Sequence, residues 1–184
     1  MAVQQARQKS EAAAADDWPT GLYDVLKAKN VRQMSYVPDA GHSKLISLLS
    51  ADPEVKTTVL TTEEEGIAIA AGAWLGGERS VILMQSSGVG NCINAIASLT
   101  MSCRLPLLTL VTMRGEWGEG NPWQIPMGRA VQPVLESLGM RCVSVHRADE
   151  VEASVSAMAA MSFNAGSANA VLLSQRLVGA KAFK

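Results

Sequence analysis

Short apolar runs alternate with amphipathic stretches from Trp18 onward. Each apolar run is typical of a buried β-strand, and each amphipathic stretch is typical of a helix that packs on a sheet. Strands are predicted near 34–37, 57–60, 80–84, 105–112, 141–145 and 169–173, and helices near 20–29, 41–49, 63–74, 89–101, 129–138 and 149–161. Strands that alternate with helices form a parallel sheet through βαβ crossovers. We therefore predict an α/β fold in which three layers, αβα, surround a six-stranded parallel sheet.

The pattern also predicts how the chain is divided. With 184 residues it fits one ordinary domain that can bury its own core. Residues 1–16 are polar and rich in alanine, with no opening strand. We expect a flexible N-terminal arm at 1–16, a single domain at 17–178 and a C-terminal tail at 179–184.

Charge and composition exclude several classes of protein. A formal net charge of −1 provides no electrostatic basis for binding nucleic acid or an acidic membrane surface. No apolar run reaches the ~18 residues that a membrane span needs. Two histidines almost exclude a histidine-based zinc site. The three cysteines form no CxxC pair, so we expect reduced, mostly buried thiols in a cytoplasmic protein.

In a parallel α/β sheet, ligands bind beyond the carboxyl ends of the strands. Here those ends correspond to 37–44, 61–66, 85–91 and 113–127. Each segment contains polar or charged side chains soon after an apolar strand. We therefore look for functional residues in these four segments.

The segment 61–66 contains three consecutive glutamates at the start of a predicted helix. Acidic residues in a first turn stabilise the helix dipole, and Thr62 with Glu65 fits a capping box. Glu63 fits this interpretation poorly, because it begins an apolar stripe at helical spacing that continues through Ile67 and Trp74. A carboxylate on a buried face is costly unless it has a partner. Glu63 is therefore a candidate functional acid, with helix capping as the alternative.

The segment 85–91 is a glycine-rich turn between a strand and a helix. Its two glycines let the backbone approach a ligand closely, and exposed N–H groups can bind an anion or a ring nitrogen. Gln85 ends a buried strand with an amide that suits hydrogen bonding to a substrate. The alternative is a tight turn with Ser86 or Ser87 as helix N-cap. A Rossmann-type dinucleotide site is disfavoured, because Ile93 stands where G-x-G-x-x-G needs its third glycine.

The segment 113–127 is irregular and rich in glycine, tryptophan and charge. Arg114 follows a buried strand directly and suits binding of a carboxylate or sulfonate. The alternative for Arg114 is a surface ion pair with Glu116 or Glu119, which would contribute little stability. Tryptophans in a loop are costly to expose, so Trp117 and Trp123 are expected to pack against a ligand or a partner.

Two further candidates follow the first strand. Asp39 is a candidate substrate-binding residue, with a turn or helix N-cap position as the alternative. His42 is a candidate proton donor near a helix start, and the alternative is a partly exposed histidine without a function.

These motifs together resemble a known family. Val37-Pro38-Asp39, the segment from Glu63 to Gly72, the turn from Gln85 to Asn91, and Arg114-Gly115-Glu116 occur in this order. Their order and spacing resemble the pyrimidine-binding domain of thiamine diphosphate-dependent 2-oxoacid decarboxylases. The resemblance is strongest to the alpha subunits of sulfopyruvate decarboxylases and to the related phosphonopyruvate decarboxylases. It covers about 18–175 and implies the thiamine diphosphate-binding, pyrimidine-domain version of the α/β fold.

The resemblance implies a role for each candidate. The activating glutamate of the family lies nine residues before the motif glycine, Gly72, which selects Glu63 as the acid that promotes the reactive tautomer of the aminopyrimidine. The implied cofactor-binding residues are Glu63, Ser87, Gly88, Gly90 and Asn91, and the implied substrate-binding residues are Asp39, Gln85, Ser86 and Arg114. His42 joins Glu63 as a catalytic candidate. Ser86 replaces an asparagine that is common in the phosphonopyruvate enzymes, which favours a sulfonate substrate.

The resemblance also implies a partner. Family members bind the diphosphate through Mg²⁺ with a G-D-G segment and a later Asn-Asn pair, which this sequence lacks. A beta subunit is therefore expected to bind the diphosphate and Mg²⁺, and alpha subunits are expected to self-associate. The expected reaction converts 3-sulfopyruvate to sulfoacetaldehyde and CO2. The alternatives are a phosphonopyruvate or other 2-oxoacid decarboxylase subunit, and a non-catalytic binding or regulatory module with this fold.

Overall fold

The computed structural model describes residues 17–180, and the helices and strands are numbered in chain order. The expected arm at 1–16 and residues 181–184 of the expected tail lie outside the described residues. The helices and strands are α1 (Trp18–Ala28), β1 (Val31–Tyr36), α2 (Ser43–Ala51), β2 (Lys56–Val59), α3 (Glu63–Leu75), β3 (Arg79–Gln85), α4 (Ser86–Ala95), β4 (Leu107–Thr112), α5 (Gln124–Ser137), β5 (Arg141–Val145), α6 (Ala148–Ala165), β6 (Ala168–Leu173) and α7 (Gln175–Val178).

Within residues 17–180 the strands form one six-stranded sheet in the order β2-β1-β3-β4-β6-β5. All neighbouring strands are parallel, so the predicted fold class is confirmed. The chain first extends the sheet from β1 to β2 and then returns to the other side of β1 with β3. The carboxyl ends of β1 and β3 therefore border a crevice, which is where open α/β sheets bind ligands.

Helices cover both faces of the sheet, and each face has its own apolar core. Leu22 and Leu26 of α1 pack with α2 and α6 on one face. On the other face, Ile67 of α3 and Val131 of α5 pack around α4. Strands β4 and β6 are buried along their whole length, as the apolar runs predict.

Several element bounds differ from the prediction. β4 begins at Leu107 rather than 105, because Pro106 has no N–H for the sheet. The helix predicted at 89–101 begins at Ser86, and its last part, Ile96–Met101, is a π-helix. Helix α5 begins at Gln124 rather than 129. The short helix α7 was not predicted.

A half-buried charge cluster connects α1 to the turn after α2. The Asp52 carboxylate accepts a hydrogen bond from the Tyr23 hydroxyl (2.9 Å) and forms an ion pair with Lys27. The hydrogen bond from Lys27 lowers the pKa of Asp52 to about 2. Since the Asp52 side chain is only 6% exposed, the cluster fixes the carboxyl end of α2 against α1.

No disulfide forms among the described residues, which include all three cysteines. Cys92 is buried, Cys142 is half-buried and Cys103 is exposed, so the expectation of buried thiols is wrong for Cys103. Burial raises the pKa of Cys92 to about 12 and that of Cys142 to about 11. Both thiols therefore stay protonated at neutral pH.

Among the helices of residues 17–180, none is both long enough and apolar enough to cross a bilayer.

Candidate active site

The carboxyl ends of β1, β3 and β4 bring the candidate residues to one edge of the sheet. Asp39 follows β1, Gln85 ends β3, and Arg114 comes two residues after β4. Glu63 begins α3, which crosses from the edge strand β2 back toward β3. The topology therefore assembles residues from four separate parts of the chain at the crevice between β1 and β3.

Glu63 is buried, with 7% of its surface exposed. Its Oε2 accepts a hydrogen bond of 2.9 Å from Nδ2 of Asn91 on α4. A Cβ atom added to Gly88 would overlap the Glu63 carboxylate, so the missing side chain at Gly88 makes room for this acid. The carboxylate thus lies at the contact between two helices, with one oxygen bound to an amide.

The capping interpretation of the glutamate run is only partly correct. Thr62 occupies the N-cap position, but its side chain makes no capping hydrogen bond to the described residues. Glu65 is exposed, and its Oε2 accepts from the backbone N–H of Thr61 (3.0 Å) rather than from that of the N-cap. A carboxylate therefore stabilises this helix start without Glu63, whose burial needs another explanation.

A small cavity of about 120 Å³ opens beside the Glu63 carboxylate. Its lining consists of residues from the loop after β1, the start of α3 and the end of β3, namely Val37, Pro38, Asp39, Glu63, Gln85 and Ser87. The buried acid therefore lines a small, partly open cavity that is bordered by an amide, a hydroxyl and a second carboxylate.

A larger cavity of about 330 Å³ continues from Asp39 and Gln85 toward Arg114 and Thr112. The Asp39 carboxylate accepts hydrogen bonds from the Thr112 hydroxyl (2.6 Å) and from Nε2 of Gln85 (3.4 Å). Residues 178–180, at the end of α7 and directly after it, complete the lining. Asp39 precedes the short helical turn at Ala40–His42, but its side chain makes no capping hydrogen bond to the described residues.

The two serines of the turn have different positions. Ser86 is fully buried, and its Oγ accepts from the backbone N–H of Arg114 (3.2 Å), so it connects the ends of β3 and β4. Ser87 is exposed and donates to Oε1 of Gln85 (2.9 Å) beside the small cavity. The predicted N-cap role is wrong for both serines, because Gln85 occupies that position. Gly90 faces Met127 of α5 rather than either cavity.

Arg114 and Glu119 form a bidentate ion pair, with Nε to Oε2 and Nη2 to Oε1 both at 2.7 Å. The ion pair with Glu119 forms, as the alternative stated. It is not a surface pair, because the two side chains are only 13% and 3% exposed. The hydrogen bond from Arg114 lowers the pKa of Glu119 to about 2. Arg114 is also one of the residues that line the larger cavity.

His42 lies in the interior, with 1% of its surface exposed, so the alternative of a partly exposed histidine is wrong. Its Nε2 is 3.1 Å from the carbonyl oxygen of Leu110, and burial lowers the pKa of the ring. Its Nδ1 has no hydrogen-bond partner among the described residues. The described lining of the two cavities does not include His42, so its role as proton donor stays a prediction that the geometry does not favour.

The two loop tryptophans are largely exposed to solvent. Trp123 is 72% exposed and Trp117 is 52% exposed, with the Arg176 guanidinium stacked over the Trp117 ring at 5.8 Å from its centre. Their packing against a ligand or another chain stays a prediction.

Sequence reasoning missed Thr112, Gln175 and the burial of Glu119. Thr112 shares one signal with Gln85, since each is a polar residue that ends an apolar strand. Gln175 carries no such signal, because its contacts with the loop after β4 come from a segment 56 residues away along the chain.

The arrangement suits proton exchange with a polar ring more than it suits metal binding. Within residues 17–180, no group of three or more His, Cys, Asp or Glu side chains could hold a metal ion. Glu63 instead offers a buried carboxylate next to a small polar cavity, where a ring nitrogen can form a charge-assisted hydrogen bond. Next to it, the larger cavity offers amide, hydroxyl and guanidinium donors to an acidic molecule.

Comparison with known proteins shows which family the chain belongs to. The family described as "Thiamine pyrophosphate enzyme, N-terminal TPP binding domain" matches residues 19–140. The sulfopyruvate decarboxylase subunit alpha of Methanocaldococcus jannaschii is 42% identical over 62% of this chain and 68% of its own length. The protein of the same name from Methanococcus maripaludis is 34% identical over 83% of this chain and 91% of its own length.

Longer proteins contain a similar region. A phosphonopyruvate decarboxylase of Streptomyces viridochromogenes is 35% identical over 62% of this chain, which corresponds to 29% of that enzyme. The solved structure of 2-oxoglutarate:ferredoxin oxidoreductase from Magnetococcus marinus shares the fold, with a TM-score of 0.68 and 16% identity over 89% of this chain and 29% of that one. The chain therefore belongs to the thiamine pyrophosphate enzyme family as an N-terminal TPP-binding domain, and within it to the sulfopyruvate decarboxylase alpha subunits.

Proposed function

We propose that this chain is the alpha subunit of a thiamine diphosphate-dependent decarboxylase that converts 3-sulfopyruvate to sulfoacetaldehyde and CO2 in the cytoplasm. One observation carries the proposal: the Glu63 carboxylate is buried and faces a small polar cavity at the carboxyl edge of the sheet. A buried carboxylate beside a polar cavity is costly unless a partner or ligand binds it, which makes Glu63 the candidate for a chemical task.

The residues around Glu63 fit the pyrimidine end of the cofactor. Gly88 leaves space beside the carboxylate, and Asn91 binds Oε2. Glu63 would exchange a proton with a ring nitrogen of the aminopyrimidine, while Ser87 and the backbone of Gly88 border the bound ring. Gly90, which faces Met127, lies away from this position. Thiamine diphosphate, when bound, supplies the electron sink for the loss of CO2.

The larger cavity fits a small acidic substrate. Gln85 and Arg114 offer hydrogen-bond donors, and Asp39 on the same lining accepts from Thr112 and Gln85. Ser86 fixes the start of the Arg114 loop by accepting a hydrogen bond from the Arg114 backbone N–H. The Arg114 side would bind the sulfonate or carboxylate of the substrate, since a guanidinium matches the geometry of both groups.

The partner of this chain would be a beta subunit that binds the diphosphate and Mg²⁺. Two relatives carry the name subunit alpha, and the similar region of the phosphonopyruvate decarboxylase corresponds to only 29% of that enzyme. We also propose that alpha subunits pair with one another, as symmetric association is usual for soluble oligomers.

The test is the substitution Glu63→Gln in the enzyme assembled with its beta subunit, thiamine diphosphate and Mg²⁺. We expect CO2 release from 3-sulfopyruvate to fall by about 100-fold or more, because an amide cannot transfer the proton. The matched control is Glu64→Gln, which makes the same change at the exposed neighbouring residue. Circular dichroism should show that both variants are folded, and near-normal turnover in Glu63→Gln contradicts the proposal.

A second candidate substrate is 3-phosphonopyruvate, which is supported by the 35% identity to the phosphonopyruvate decarboxylase. The same assembled enzyme should be assayed with both acids side by side. We expect a higher kcat/KM for 3-sulfopyruvate, and the opposite order would reassign the substrate without changing the role of Glu63. No turnover of either acid would favour the non-catalytic module.

A further inference from the structure

The carboxylate of Glu119 accepts five of the hydrogen bonds that shape the loop after β4. Besides the two bonds from Arg114, it accepts from the backbone N–H groups of Gly115 (3.2 Å) and Asn121 (2.9 Å). Nε2 of Gln175 adds a further bond at 3.0 Å. A buried carboxylate with this many donors is held in one position, and it holds its partners in turn.

This carboxylate determines which edge of the Arg114 guanidinium is available. Arginine has five N–H donors, and the Glu119 carboxylate uses Nε and one hydrogen on Nη2. Nη1 has no hydrogen-bond partner among the described residues. Arg114 is at the same time in the lining of the larger cavity. The pair therefore leaves Nη1 and the second hydrogen on Nη2 available for a ligand in that cavity.

A negative charge in the same cavity also affects where an anion can bind. The Asp39 carboxylate is in the same lining and repels an anionic group. Glu119 also offsets the charge of Arg114, so a general positive potential does not attract an anion here. An anionic substituent is favoured only where it can contact the guanidinium directly.

We propose that Glu119 is the positioning residue that directs Arg114 toward the anionic C3 substituent of the substrate, and that this pair sets the preference for such substrates over pyruvate. The inference rests on the proposed decarboxylase function and deepens it. Glu119 acts only through Arg114.

The loop offers a control for a purely structural effect. Glu116 also fixes this loop, since its Oε2 accepts from the backbone N–H of Gln175 (3.1 Å). It is exposed, and none of its hydrogen bonds to the described residues involves Arg114. Glu116→Gln therefore weakens the anchoring of the loop and leaves the guanidinium pair intact.

The experiment compares the wild-type chain, Glu119→Gln, Arg114→Gln, the double variant and Glu116→Gln, each assembled with the beta subunit. The first readout is the ratio of kcat/KM for 3-sulfopyruvate to kcat/KM for pyruvate, with KM and kcat separated. The second is the Kd of sulfoacetate, an unreactive sulfonate, measured by titration calorimetry without turnover.

We expect Glu119→Gln to lower the ratio by about tenfold or more through KM, which is the usual effect of losing a charge-assisted hydrogen bond. Arg114→Gln should lower it at least as much, and the double variant no further, because both changes remove one contact. The Kd of sulfoacetate should rise in parallel. In Glu116→Gln the ratio should stay at the wild-type value.

Equal losses for both substrates in Glu119→Gln and Glu116→Gln would overturn the inference and reduce Glu119 to a loop anchor. An unchanged ratio in Arg114→Gln would overturn it as well. If the wild-type enzyme releases no CO2 from any acid, the proposed function fails. The sulfoacetate titration then decides separately, since equal Kd values for wild type and Glu119→Gln refute the positioning role.

Discussion

A single absent side chain, at Gly88, determines whether the Glu63 carboxylate can occupy its buried position. Glu63 is on α3 and Gly88 is on α4, and the two helices meet at this point. Any Cβ at position 88 would overlap the carboxylate. Glycine is needed here for close approach rather than for an unusual backbone angle.

The substitution Gly88→Ala should therefore displace the acid while leaving most of the fold intact. We expect decarboxylation to fall on the order of 100-fold, the usual effect of a misplacement of about 1 Å in a catalytic group. The assay is CO2 release by the assembled enzyme.

The matched control for this variant is Gly72→Ala on α3. A Cβ at Gly72 meets no described atom within 4 Å, and the position is inside a helix. This variant should raise the free energy of unfolding by roughly 0.5–1 kcal/mol, measured by urea denaturation. If Gly88→Ala keeps wild-type turnover, the contact with Glu63 is not needed for function.

Individual site residues could be predicted to different extents. Glu63 could be found, because its place at the head of an apolar stripe conflicts with a solvated acid, and it is buried. The partners of Glu63 could not be found, since hydrophobic periodicity describes one helix at a time and Gly88 and Asn91 are on another. The family resemblance selected Gly88 and Asn91 as cofactor-binding residues, a role that stays a prediction.

At the scale of elements, helix α5 lies directly against the end of β4. Gly128 of α5 faces the backbone carbonyl of Arg114, and a Cβ atom there would overlap that oxygen. Backbone cannot move aside as a flexible side chain does, so α5 itself would have to shift. The Arg114 loop therefore depends on a glycine in the following helix.

The substitution Gly128→Ala should destabilise the protein by roughly 1–3 kcal/mol, the usual cost of inserting an extra carbon into a packed contact. Urea denaturation measures this change. A gain in stability of the size expected for Gly72→Ala would show instead that α5 moves away from Arg114 at no cost.

Elements could be predicted where apolar periodicity dominates. β5 was predicted with its observed bounds, Arg141–Val145. The start of α4 was predicted too late, because two serines and two glycines in its first turns have low helix propensity and favour a turn. Contacts of α4 with α3 and α5 override that preference. Single-sequence patterns contain no information on such contacts.

At the scale of the whole molecule, two buried carboxylates make stability depend on acid pH. The pKa values of Asp52 and Glu119 are lowered to about 2, from ordinary values of 3.8 and 4.5. The unfolded chain therefore binds more protons than the folded protein across this range. Their contribution to stability is present above about pH 4.5 and is lost as the pH falls toward 2.

We expect the free energy of unfolding to decrease as the pH is lowered from about 6 to 3, measured by urea denaturation at each pH. Asp52→Asn and Glu119→Gln should each lower stability at neutral pH and flatten its decrease in acid. Curves for both variants that parallel the wild type at all pH values would contradict the assignment of these two groups.

The overall architecture could be predicted from the sequence more completely than the individual residues or elements. Six apolar strands alternating with helices allow few arrangements other than a parallel sheet covered on both faces. The strand order could not be predicted, because it depends on which side of β1 each crossover takes. The network that joins Glu119 to Gln175 was hidden for the same reason, since it forms only once β4 and β6 are neighbours.

Because all strands are parallel, the candidate site lies at one edge of the sheet, and turns at the opposite edge can accept an insertion without disturbing it. The Gly76–Glu78 turn joins α3 to β3 at the end opposite Glu63. The 13 residues of α3 place this turn about 20 Å from the acid. A fluorophore or an affinity tag inserted there would leave both cavities undisturbed, so the enzyme can be immobilised or followed optically while it works.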